Sequence, residues 1–238
     1  MARYHMCKEK IGRPVRVTSI GFNDCDFDKV LDIIDSEGEY GADMIILPEA
    51  WRGFESEPET LTGITVSSVA KIAKKHNTYI ACPIYRKCED GKCFNSNVLI
   101  DRNGEVVFVY DKVFPYWEEF ESNRNLHVGT EAAVFETDFG RIGMATCFDA
   151  NFPEVWKRLA DLKAEMVIWA SAYSAGSTLQ AHALNHHYYI VTSTLLRDCT
   201  VFDITGRELL YEKSDSINIS RIVLDLDRGI YHENFNMD

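Results

Sequence analysis

The chain has 238 residues, 46% hydrophobic and 26% charged, which excludes a mostly disordered or fibrous protein. That length predicts one domain over residues 1–238. A formal net charge of −12 argues against nucleic acid or an anionic membrane surface as the main partner. No apolar run approaches the roughly 18 residues of a membrane span. The opening segment MARYHMCKEK has no apolar core of a secretory signal, and the seven cysteines follow no framework spacing. Reduced thiols in a cytoplasm are the expectation.

Short β-rich runs alternate with longer helical patterns along the chain. Residues 15–22 read as a strand, 27–40 as a helix with Val30, Leu31, Ile33 and Ile34 at helical spacing, and 43–47 as a buried strand ending at Pro48. A helix over 67–75 leads to a strand over 79–83. Runs 84–86 and 94–100 flank the turn Glu89-Asp90-Gly91, and Asn103-Gly104 joins the second run to a strand over 106–110. Strands over 133–137 and 142–146 pair across Asp138-Phe139-Gly140. A helix over 153–162 carries Pro153 in its first turn. A strand over 166–170, a helix over 178–188, a strand over 190–195, a hairpin of 201–204 with 208–211 and a strand over 222–226 complete the chain. Two sheets with helices outside them fit this count better than one Rossmann sheet, and neither G-x-G-x-x-G nor a Walker A sequence occurs.

Three reactive side chains stand just past short apolar strands. Glu49 ends Ile45-Ile46-Leu47-Pro48-Glu49, at a sheet rim where partial burial suits a carboxylate to base work. Lys112 ends a strand and precedes Val113-Phe114-Pro115-Tyr116-Trp117, an aromatic loop able to wall a pocket with Trp117. Its ammonium suits charge on a reacting oxygen, against the plainer reading of an edge-strand lysine. Cys147, in Thr146-Cys147-Phe148-Asp149, sits where a strand turns toward a helix, an elbow that can lower a thiol pKa. A small buried hydrophobe is the plainer reading there.

Taken together and in this order, LPEAW, YDKVFP and GRIGMATCFDANFPEVW resemble the glutamate, lysine and cysteine motifs of the nitrilase superfamily of carbon–nitrogen hydrolases. The likeness runs from about Val15 to Leu226. It implies a four-layer α-β-β-α sandwich with Cys147 as nucleophile, Glu49 as base and Lys112 as oxyanion partner. The backbone N–H of Phe148 would be a second oxyanion donor. It also implies a second glutamate after the lysine motif. Among Glu118, Glu119 and Glu121, an extended segment puts Glu119 and Glu121 on one face. Counting back from Gly129 favours Glu121, whereas the shorter distance to Lys112 favours Glu119, and Glu119 is chosen on that ground. Three solvated acids of a surface loop are the plainer reading. Tyr173, past another strand, is a candidate pocket wall. The resemblance implies a small linear amide as substrate, no metal or organic cofactor, and a homodimer or higher homo-oligomer. A nitrilase, an N-carbamoyl hydrolase or a non-catalytic partner-binding member are the alternatives. Asn151 stands where many carbamoylases carry arginine, which disfavours a carbamoyl substrate.

Two other constellations point to structure. Cys88 and Cys93 flank a hairpin turn with no second ligand pair nearby, and His182, His186 and His187 share a helix without an H-E-x-x-H sequence. One of these histidines is within the range of positions that reach the pocket.

Overall fold

The computed structural model describes residues 12–121 and 125–230. The first sheet contains β1 (Pro14–Phe22), β2 (Met44–Ile46), β3 (Tyr79–Lys87), β4 (Cys93–Ile100) and β5 (Val106–Asp111). The second contains β6 (Val134–Glu136), β7 (Arg141–Thr146), β8 (Met166–Ser171), β9 (Tyr189–Thr194), β10 (Asp198–Phe202) and β11 (Glu208–Lys213). The last strand, β12 (Ile217–Asp225), returns to the first sheet, so the strand orders are β12-β1-β2-β3-β4-β5 and β11-β10-β9-β8-β7-β6. Helices α1 (Phe27–Glu39) and α2 (Ile64–His76) cover the first sheet, and α3 (Pro153–Asp161) and α4 (Gly176–His186) the second. This is the expected four-layer α-β-β-α sandwich.

Side-chain alternation explains the layering. Val15, Val17, Met44, Ile46, Tyr79 and Ala81 join the core between the sheets. Their sequence neighbours Ile45, Leu47, Ile80 and Cys82, with Ile20 and Phe22, pack instead with Val30 and Ile34 of α1 and Val66 and Val69 of α2. The sheets are also stitched by polar bonds: Ser19 Oγ donates to Thr192 O at 2.6 Å and Ser193 Oγ to Ile20 O at 2.8 Å. Gly21 allows this approach, because a Cβ there would lie 3.0 Å from Thr194 O.

Three elements depart from the sequence reading. The runs 79–83 and 84–86 form one strand, β3, through Pro83. Its parallel pairing to β2 stops at Ala81, so the proline, which has no N–H, lies where no ladder bond to β2 is needed. β12 begins at Ile217, five residues before the expected 222, because its buried face carries Asn218 and Ser220, hydrogen-bonded to each other at 2.8 Å. Apolar periodicity does not register such a face. Trp117–Glu121 is a 3₁₀ turn and not extended chain, so the face-sharing argument over the three glutamates fails.

Strands β1, β2 and β3 run parallel, as do β7, β8 and β9, and two antiparallel steps return β5 to the direction of β3. The carboxyl ends of β2, β5, β7 and β8 are followed by Glu49, Lys112, Cys147 and Ala172. Strand ends with a common direction are where open α/β folds place their ligands.

Candidate active site

Glu49, Lys112 and Glu119 form one hydrogen-bonded cluster, with Cys147 beside it. Lys112 is fully buried, and its Nζ donates to Glu49 Oε1 at 2.8 Å and to Glu119 Oε1 at 2.5 Å. Asn95 Nδ2 donates to the same Glu49 Oε1 at 2.7 Å and to Glu119 Oε2 at 2.8 Å. Glu49 Oε2 accepts the Ala172 N–H at 3.0 Å, and Tyr116 N donates to Glu119 Oε1 at 2.8 Å. The Cys147 thiol lies in hydrogen-bonding reach of the Glu49 carboxylate and of the Ala172 amide.

The 3₁₀ turn decides which glutamate takes part. At three residues per turn, Glu118 and Glu121 share one side and Glu119 takes another. The turn is closed by Glu119 N to Tyr116 O at 2.9 Å, so Glu119 and Tyr116 bond reciprocally and the carboxylate is aimed at Lys112. Glu118 and Glu121 are exposed at the cleft mouth.

The elbow at Cys147 is strained and braced. Cys147 has φ +49°, a conformation non-glycine residues adopt only when surrounding contacts impose it. Trp169 Nε1 donates to Cys147 O at 3.1 Å, Trp156 Nε1 to Asp149 O at 2.9 Å, and the His182 imidazole bonds Ala150 O at 2.9 Å. Trp156 and His182 stack with ring centroids 4.5 Å apart. Asp149 locks the elbow to the lysine strand: it accepts Tyr110 OH at 2.7 Å, Thr146 N at 2.8 Å and Phe114 N at 2.9 Å.

Electrostatics follow from burial. Burial, and next the Glu49 carboxylate, push the Cys147 thiol up to about 12, against the pull of Lys112. The expected lowering at a helix N-terminus does not occur, because Cys147–Asn151 is a short 3₁₀ turn and desolvation dominates. Burial opposes the charge on Lys112, yet the Glu49 and Glu119 carboxylates outweigh it and hold the ammonium well above the lysine range. Burial raises Asp149 to about 6 although Tyr110, Lys112 and two amides oppose it. The resting thiol is therefore protonated, with a carboxylate beside it to take the proton.

A cleft of about 1200 Å³ opens over this cluster, lined by Glu49, Glu119, Cys147, Phe148, Asn151 and Tyr173, with Phe54, Tyr85 and Tyr116 among its further walls. Tyr173 OH approaches Cys147 O and Asn151 Nδ2, both at 3.4 Å. Trp117 does not line the cleft; it is half-exposed and packs on Tyr116, which takes the wall position instead. The three histidines lie outside the lining, His182 being turned behind the elbow. Cys88 and Cys93 are not disulfide-bonded to each other, and Cys93 lines the cleft. Among the described residues no group of three or more His, Cys, Asp or Glu is arranged to hold a metal, and no helix is long and apolar enough to cross a membrane.

Sequence reasoning missed Asn95, Asp149, Trp169 and Trp156. Two signals were present: an asparagine within the otherwise packed run of β4, and an acid two residues after the cysteine. The tryptophans carry no local signal, since their partners lie 22 and 7 residues away.

The fold and this constellation define the class, a layered carbon–nitrogen hydrolase. The chain belongs to the carbon-nitrogen hydrolase family, whose model matches residues 24–223. It is 31% identical over 160 residues to beta-ureidopropionase from Arabidopsis thaliana, a match over 61% of this chain and 39% of that one. It is 23% identical over 252 residues to deaminated glutathione amidase from Dictyostelium discoideum, over 89% and 86% of the respective chains. The chain spans less than half the length of the Arabidopsis relative and 47% of nitrilase homolog 2 from Dictyostelium discoideum. The nitrilase fold itself recurs in a double mutant of the amidase from Nesterenkonia sp. AN1 in complex with acrylamide, at TM-score 0.74, 17% identity and coverage of 89% and 91%.

Proposed function

We propose that this carbon–nitrogen hydrolase is an amidase acting on a small linear amide through a cysteine thioester. The observation that carries the reading is the buried Lys112 ammonium shared between Glu49 and Glu119, with the Cys147 thiol in hydrogen-bonding reach of Glu49. Glu49 takes the thiol proton as Cys147 Sγ bonds to the amide carbon. The carbonyl π electrons move to oxygen, where Lys112 Nζ and the Phe148 N–H stabilise the anion. Collapse breaks the C–N bond, Glu49 returns the proton to the leaving nitrogen, and ammonia or an amine departs. Glu49 then removes a proton from water as its oxygen bonds to the thioester carbon, the C–S bond breaks, and Glu49 returns the proton to Cys147 Sγ as the carboxylic acid leaves. Glu119 orients Lys112, and Phe148 and Tyr173 contact substrate.

The Nesterenkonia amidase complex with acrylamide supports an amide over a nitrile, and Asn151 in place of arginine disfavours a carbamoyl group. A cytoplasmic homodimer accompanies the reading from the family resemblance, and sedimentation of the purified chain tests the dimer. Ammonia release across amides, nitriles and ureido acids is the deciding experiment. Release from short amides that is abolished in Cys147→Ala supports the reading. No release from any amide, or a fully active alanine variant, overturns it.

A further inference from the structure

Asn95 joins the same two carboxylates that Lys112 joins, sharing Glu49 Oε1 with it and taking the other oxygen of Glu119, and no part of the proposed reaction requires it to touch substrate. Its side chain is buried, and an asparagine amide has two N–H donors. One goes to Glu49 at 2.7 Å and the other to Glu119 at 2.8 Å, closing a ring of Glu49, Lys112, Glu119 and Asn95. The main chain fixes this juxtaposition, since Lys112 N donates to Asn95 O at 2.9 Å. One rung along, on the opposite face, Ser96 Oγ donates to Asp111 Oδ1 at 2.6 Å and Arg86 to Asp111 Oδ2 at 2.6 Å, which braces the β4–β5 register.

We propose that Asn95 is a positioning residue that keeps Glu49 and Glu119 ionised together around one ammonium and so sets the pH at which Glu49 can accept the Cys147 proton. The inference rests on the base role proposed above for Glu49. Two carboxylates share a single cation here, and like charges at such separation drive one of them to take a proton. A neutral double donor stabilises both anions without adding a second cation that would hold the base too firmly. An aspartate at this position would add a third anion, and an alanine would leave Glu119 Oε2 without its 2.8 Å donor. The titratable groups facing the cluster are Glu49 beyond β2, Lys112 beyond β5, Glu119 on the 3₁₀ turn, Cys147 and the buried Asp149 at the elbow and Tyr173 beyond β8.

The test follows alkylation of Cys147 by iodoacetamide from pH 5 to 9, read by peptide mapping, which needs no knowledge of the substrate. Wild type, Glu49→Gln, Asn95→Ala and Asn95→Ser are compared, the serine variant keeping one donor should the alanine fail to fold. Asn95→Ala should move the acid limb of the rate up by about one pH unit, with the serine variant between it and wild type. That displacement is a tenfold change in proton affinity. With an amide that is turned over, kcat at neutral pH should fall while KM stays within about twofold. A profile superimposable on wild type, or a uniform fall with an unmoved midpoint, shows a merely structural asparagine and overturns the inference alone. If Glu49→Gln alkylates like wild type, Glu49 is not the base, and the proposed function falls with the inference.

Discussion

Replacing Glu119 by glutamine is the sharpest test of how the cluster is built. The carboxylate accepts bonds from Lys112 at 2.5 Å, Asn95 at 2.8 Å and Tyr116 N at 2.8 Å. Glutamine can keep an oxygen facing Lys112 and Tyr116 N, but its NH₂ then faces the Asn95 NH₂, donor against donor. The variant also removes one of the two anions that hold the buried ammonium in place. A hydrogen bond to a charged group contributes about 1.5–3 kcal/mol. If that loss falls on the transition state, kcat drops roughly 10- to 150-fold, since each 1.36 kcal/mol is tenfold. KM should stay within about threefold, because the role of Lys112 lies in the charge that develops during reaction. Glu118→Gln and Glu121→Gln, on the exposed side of the same turn, should each change kcat by less than about threefold. Steady-state ammonia release with the best short amide gives all three numbers. An unaffected Glu119→Gln, or a Glu121→Gln that falls as far, refutes the reasoning.

The layers were legible because period-2 alternation is strong in β1, β2 and β3, where every second side chain enters one of two apolar clusters. β12 was half legible, since Asn218 and Ser220 satisfy each other on its buried face and hide it from a hydrophobic pattern. Three strand ends carried visible words around Glu49, Lys112 and Cys147, so their convergence could be expected from order and family likeness. The short distance along the chain from Lys112 points to Glu119, while the extended geometry that pairs it with Glu121 is replaced by a 3₁₀ turn. The turn depends on Glu119 bonding back to Tyr116, which no residue pattern announces. The braces beneath Cys147 were illegible for a related reason. Trp169, Trp156 and His182 matter through which carbonyl each meets, a property of tertiary packing and not of local sequence.

Three further outcomes test the site and its supports. Lys112→Met should reduce kcat at least about a hundredfold, because it removes the proposed oxyanion partner and leaves Glu49 and Glu119 without their cation; activity near wild type would contradict the proposed role. Trp169→Phe removes the N–H that holds Cys147 O at 3.1 Å, and should lower kcat about tenfold with KM nearly unchanged; an unaltered kcat would mean the elbow keeps its shape without that bond. The third concerns pH and Asp149, whose pKa rises on folding from an ordinary 3.8 to about 6, chiefly through burial. The folded chain holds this proton more tightly than the unfolded chain. Its stabilising contribution is thus complete below about pH 4 and is lost as pH rises through about 6. A shift of roughly two units corresponds to about 3 kcal/mol. Asparagine at this position does not titrate, so the unfolding free energy of wild type measured against Asp149→Asn should fall by about 2.4 kcal/mol between pH 4 and pH 7. Urea denaturation of both proteins across that range measures the difference. A flat difference, or one that grows with pH, would show that the buried carboxylate is held as an anion by Tyr110, Thr146 and Phe114 strongly enough to cancel its desolvation.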